Sequence, residues 1–118
     1  MSLNSFKDLV VWQKSRLLVK EVYDLCSLLP SSEKFGLSSQ MQRSSISIPS
    51  NIAEGYRRHN TKEYNQFLGI AAGSAAELET QLILVSDIYH LDTSKILNNL
   101  EEIQKMLFAL SKKLYPKP

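Results

Sequence analysis

Apolar residues recur along the chain at intervals of three and four, which is the period of a helix with one buried face. The first such stretch starts at Ser5, where Asp8 three positions on makes a capping box, and carries Val11, Leu18, Val22, Leu25 and Leu29 on one side. Pro30 ends it, and residues 30–36 read as a loop. Ser39 followed by Gln42 is a second capping box, opening a helix with two stripes. Met41, Ser45, Ile48 and Ile52 form its apolar side, and Arg43, Ser47, Ser50 and Glu54 fall opposite. Ser44, Ser45 and Ser47 leave room for a neighbouring helix, and Pro49, which has no N–H to give, predicts a bend.

The third helix has the strongest signal. Tyr64, Leu68, Ala71, Ala75, Leu78, Leu82, Val85 and Tyr89 alternate at spacings of four and three, and Asn60 with Glu63 caps the start. Running from Thr61 to about His90, it would be roughly 45 Å long at 1.5 Å per residue. After a turn at Asp92, Thr93 and Ser94, Ile96, Leu100, Ile103, Leu107, Leu110 and Leu114 mark a fourth helix that Pro116 stops. Breaks are therefore expected near residues 30–38, 55–60 and 91–94, with no β-sheet. Short connections favour adjacent antiparallel helices, so the predicted fold is all-α, an antiparallel up-down-up-down four-helix bundle.

Composition agrees with this pattern. With 118 residues and 43% hydrophobic side chains the chain fills one modest core, giving one domain over residues 1–118, and only four Gly and four Pro occur. Lys7 and Asp8 precede any apolar run, and no later stretch approaches the roughly 18 uncharged residues of a membrane span, so a cytoplasmic protein without membrane contact is expected. The single Cys26 lies among leucines and reads as a packed thiol.

The formal net charge is only +2, but it is unevenly distributed. Residues 30–60 carry +2 and residues 93–118 carry +3, whereas residues 61–92 carry −4. Faces of opposite sign suit self-association as readily as an outside polyanion. Around the junction of the second and third helices, Arg57, Arg58, His59 and Lys62 form a basic cluster with Tyr56 as a stacking candidate. Lys112 and Lys113 have a simpler reading as cations at the negative end of the last helix. The polar stripe Arg43, Ser47, Ser50 and Glu54 combines short side chains with opposite charges three turns apart, as a subunit contact would.

No catalytic apparatus is legible. His59 and His90 sit at opposite ends of the third helix, no cluster has zinc spacing, and no Glu-x-x-His pair suggests a di-iron bundle. Ribonucleases among small helical bundles carry an Arg followed four to six residues later by a His, whereas here Arg57 and Arg58 directly precede His59. No enzyme activity, cofactor or metal is expected.

The run from Ser47 to Gly55, Ser-Ile-Pro-Ser-Asn-Ile-Ala-Glu-Gly, is preceded by Val11-Trp-Gln-Lys14, Tyr23 and Gly36-Leu-Ser-Ser-Gln40. Phe67-Leu68, Gly73-Ser74 and Glu77-Leu78-Glu79 follow it. Together these segments closely resemble the four-helix bundle proteins encoded in intervening sequences of bacterial 23S rRNA genes. The resemblance implies a protomer that assembles into a barrel-like homopentamer. Related accessory variability determinants of diversity-generating retroelements form positively charged barrels that bind nucleic acid and a partner reverse transcriptase.

Two basic positions common in the family are missing here, one at Gln42 of Gln42-Arg43 and one at Ala72. The expected protein is thus a non-enzymatic homo-oligomer that binds RNA or DNA weakly. The alternative is a scaffold for an unidentified protein partner without nucleic acid.

Overall fold

In the computed structural model, residues 5–114 are described, and among them there are four α-helices and no strands. They are α1 (Val10–Cys26), α2 (Leu37–Tyr56), α3 (Thr61–Tyr89) and α4 (Ser94–Leu114). α1 packs on α2 and α4, and α3 packs on the same two helices, so α1 and α3 occupy opposite corners of a square. The α2–α3 contact is the most extensive.

The core follows the predicted register. Leu18, Val22, Met41, Ile48, Ile52, Ala71, Ala75, Leu78, Leu82, Val85, Leu100 and Ile103 are completely buried. Tyr64, Tyr89, Leu110 and Leu114 pack against this cluster from the ends, half-buried. Cys26 is buried with its thiol 3.7 Å from the Ser38 carbonyl, and burial raises its pKa, which keeps it a thiol rather than a nucleophilic thiolate.

Two helix starts differ from expectation. Ser5 caps a one-turn 3-10 helix, Phe6–Asp8, by accepting from the Lys7 N–H, and α1 begins only at Val10. The Ser39–Gln42 box is not the start of α2, which begins at Leu37. There the Glu33 carboxylate, brought round by a second short turn, accepts from the Leu37 N–H at 3.2 Å. A side chain four residues upstream therefore does the work expected of Ser39. The Tyr89 hydroxyl donates to the same carboxylate, fastening the loop between α1 and α2 to the end of α3. These two bonds, that from Tyr89 first, hold the Glu33 pKa below its ordinary value. The fastening is present above the usual glutamate pKa and is released as pH falls through the lowered one.

The remaining ends agree. Asn60 accepts from the Glu63 N–H at 2.8 Å to cap α3, and His90 ends that helix in the left-handed conformation with φ 56°. Asp92 accepts from both the N–H and the hydroxyl of Ser94 at the start of α4. α2 continues through Pro49, and the expected stop at Pro116 lies outside the described residues.

Candidate nucleic-acid interface and exposed apolar surfaces

The basic cluster forms where α2 ends and α3 begins. α2 terminates at a close crossing: a Cβ on Gly55 would lie 2.8 Å from the Phe67 Cβ and 3.2 Å from the Tyr64 carbonyl oxygen. Only glycine lets the two backbones approach there, and the four residues after Tyr56 form the exposed turn that carries Arg57, Arg58 and His59.

The cluster is partly engaged within the chain. Arg57 lies over the Phe6 ring at 5.2 Å, and Arg58 lies over Phe67 at 4.7 Å while pairing with Glu54 at 3.0 Å. Tyr56 is half-buried, edge-on to Tyr64 with ring centroids 6.1 Å apart. His59 and Lys62 are exposed. Burial, with Tyr56 nearby, raises the pKa of Tyr64 and keeps it a neutral phenol.

Tertiary structure adds cations that the sequence keeps far apart. Phe6 meets Arg57, which brings Lys7 to this end of the molecule, and the Ser111 hydroxyl donates to Asn65, which brings Lys112 and Lys113. Six lysines and arginines thus gather against Asp8, Glu54 and Glu63, a local excess of three positive charges. At the other end lie Asp24, Glu33, Asp87 and Asp92 with Lys34 and Lys95.

The α2 stripe faces away from the core, as its register requires. Arg43, Ser50 and Glu54 are exposed, but Ser47 is half-buried on the α3 side, accepting from Ser74 at 2.8 Å and from the Asn51 amide at 2.9 Å. Beside it, buried Ser44 donates to the Gln81 amide oxygen at 2.7 Å. These short serines make the predicted close approach, and their polar atoms are satisfied across the seam.

Two apolar surfaces were not singled out by periodicity. The outward face of α3 carries Ile70, Ile83, Leu84 and Ile88, each at least 40% exposed. By length and composition α3 could cross a membrane, yet its inner face is the core of the fold, and 44% of its most apolar 18-residue window is buried. Elsewhere, Trp12, Val19, Ile46, Pro49 and Ala53 line an open groove of about 430 Å³ between α1 and α2, with Phe6 at one end. The available signal was an excess: these residues are apolar but lie off the core register.

Among the described residues, no three His, Cys, Asp or Glu side chains gather as metal ligands. The molecule is a four-helix protein with one basic end and an apolar outer helix face. The chain belongs to the 23S rRNA-intervening sequence protein family, whose model matches residues 7–109. It is similar to a crystal structure of a protein with unknown function from the S23 ribosomal protein family of Bacteroides thetaiotaomicron. The two share 29% identity with a TM-score of 0.80, over 87% of this chain and 99% of that one. No match was found among curated proteins.

Residues of the Ser47–Gly55 run have identifiable structural uses. Ile48 and Ile52 fill the core, Pro49 lines the groove, Asn51 ties to Ser47, and Gly55 admits α3.

Proposed function

We propose that this protein is a non-enzymatic, cytoplasmic, self-assembling scaffold: an antiparallel up-down-up-down bundle of one domain that forms a homo-oligomer, a pentamer by family resemblance. The carrying observation is the outer face of α3. α3 exposes Ile83, Leu84 and Ile88 within two turns, with Ile70 nearer its start, a concentration of exposed apolar side chains on one helix that self-assembly would cover. The antiparallel reading is supported by the contacts Ser44–Gln81 and Ser47–Ser74, whose numbers run in opposite senses on α2 and α3. The stripe Arg43, Ser47, Ser50 and Glu54 belongs to the polar margin of the subunit contact in this reading. Light scattering coupled to gel filtration at micromolar concentration is expected to give a multiple of 13.4 kDa, five-fold for the pentamer. A mass of 13.4 kDa would overturn self-assembly.

The second element of the reading is weak, sequence-tolerant binding of RNA or DNA through Arg57, Arg58 and Lys62, flanked by His59 and Tyr56. The gathering of cations at one end favours it, since a closed ring repeats that end around one rim and the separate weak contacts reinforce one another. Each phosphate contact adds affinity and salt dependence. The pairing of Arg58 with Glu54 argues against tight binding. Labelled RNA and duplex DNA should bind at about 50 mM salt and weaken to micromolar or worse near physiological salt. The Arg57→Glu, Arg58→Glu double variant should not bind. Equal binding by that variant, or none by the natural chain at low salt, would leave the scaffold with a protein partner as its only role.

A further inference from the structure

We infer that the subunit contact is head-to-tail: the outer face of α3 in one copy seats in the groove between α1 and α2 of the next. This rests on the self-assembly reading and names the two surfaces that carry it.

The first observation is charge. Glu77 lies on the exposed face of α3 between Ile70 and Leu84, and Arg16 borders the groove, its guanidinium 5.7 Å from the centre of the Trp12 ring. Neither forms an ion pair among the described residues. The α3 face carries the acidic Glu77 and Asp87 and the groove border carries the basic Arg16, charges of opposite sign that fix register better than apolar contact alone.

The second observation is height along the molecule. The Ser74–Ser47 bond sets Gly73 near the level of Pro49, which lines the groove together with Arg16. Glu77 is one turn along α3 from Gly73. Copies related by a rotation axis parallel to the helices would therefore bring Gly73 to Pro49, and Glu77 to the groove that Arg16 borders, without sliding.

The third is shape. A Cβ placed on Gly69 or Gly73 meets nothing within 4 Å, so this stretch of α3 is a smooth strip facing open space. It can approach the walls formed by Trp12 and Pro49 closely, with Ile70 entering the groove beside it. The two surfaces are different, and they are not on opposite sides of the square of helices. Successive head-to-tail contacts therefore turn, as closure into a ring requires.

The test uses blocked copies of the full chain. Gly73→Arg spoils the α3 face and Ile46→Arg spoils the groove, and circular dichroism checks that both stay helical. Each variant alone is expected to run as a 13.4 kDa monomer, and their equimolar mixture as a one-to-one dimer, since one intact contact survives between them. Arg16→Glu and Glu77→Arg should each weaken assembly, and combining them should restore it. If the natural chain assembles but Gly73→Arg assembles equally well, or the mixture stays monomeric, the face assignment is overturned while self-assembly stands. If the natural chain is itself a monomer, both fall.

Discussion

Replacing Leu82 by alanine is expected to cost about 2–5 kcal/mol of folding stability, the range for emptying a fully buried leucine site. Leu82 is completely buried, on the inner side of α3 and facing the core cluster. Its truncation removes apolar contacts from a site where surrounding helices can relax only partly. Leu84, two residues along, is 40% exposed and supplies an internal control. Urea unfolding at fixed protein concentration should show a large fall in midpoint for Leu82→Ala. The change for Leu84→Ala should stay within about 0.5 kcal/mol at concentrations low enough to keep the chain dissociated. Equal losses at the two positions would mean that the buried face of α3 had been misassigned. Fixing the concentration matters because self-association stabilises the folded state by mass action.

Gly55→Ala should lower stability by about 1–3 kcal/mol, the usual cost of overpacking, even though alanine is the better helix former by about 1 kcal/mol. The added methyl would sit 2.8 Å from the Phe67 Cβ and 3.2 Å from a backbone oxygen of α3, and neither is the far end of a flexible chain. The start of α3 must therefore move away from the end of α2, disturbing the turn that holds Arg57, Arg58 and His59. Gly69→Ala is the counterpart: it meets nothing within 4 Å, so the helix-propensity gain should appear undiminished. Chemical unfolding of the two variants side by side decides the matter. A Gly55→Ala protein as stable as Gly69→Ala would show that the crossing of α2 and α3 is looser than described.

Local chemistry determined the helices. A helical period is a property of adjacent turns, so the sequence by itself marked Leu18, Val22, Ile48, Ile52, Leu78 and Leu82 as inward-facing, and all are buried. Asn60 could be identified as a cap because its partner, the Glu63 N–H, is three residues away. The start of α2 could not be found this way. Its capping oxygen comes from Glu33, four residues before Leu37 and outside the Ser39–Gln42 pattern, and what holds that carboxylate in place is the hydroxyl of Tyr89 from across the molecule. Burial and cooperation between distant segments also decided the character of the basic end. Spacing alone showed Arg57, Arg58, His59 and Lys62 together, but only packing added Lys7, Lys112 and Lys113 and placed aromatic rings under Arg57 and Arg58. The apolar face of α3 belongs to the same category. Ile70, Ile83 and Ile88 count equally toward hydrophobic content whether they face a core or water, and the difference arises only when four helices compete for the limited interior. α3 can turn one side inward, and its other side is left for whatever packs outside the fold.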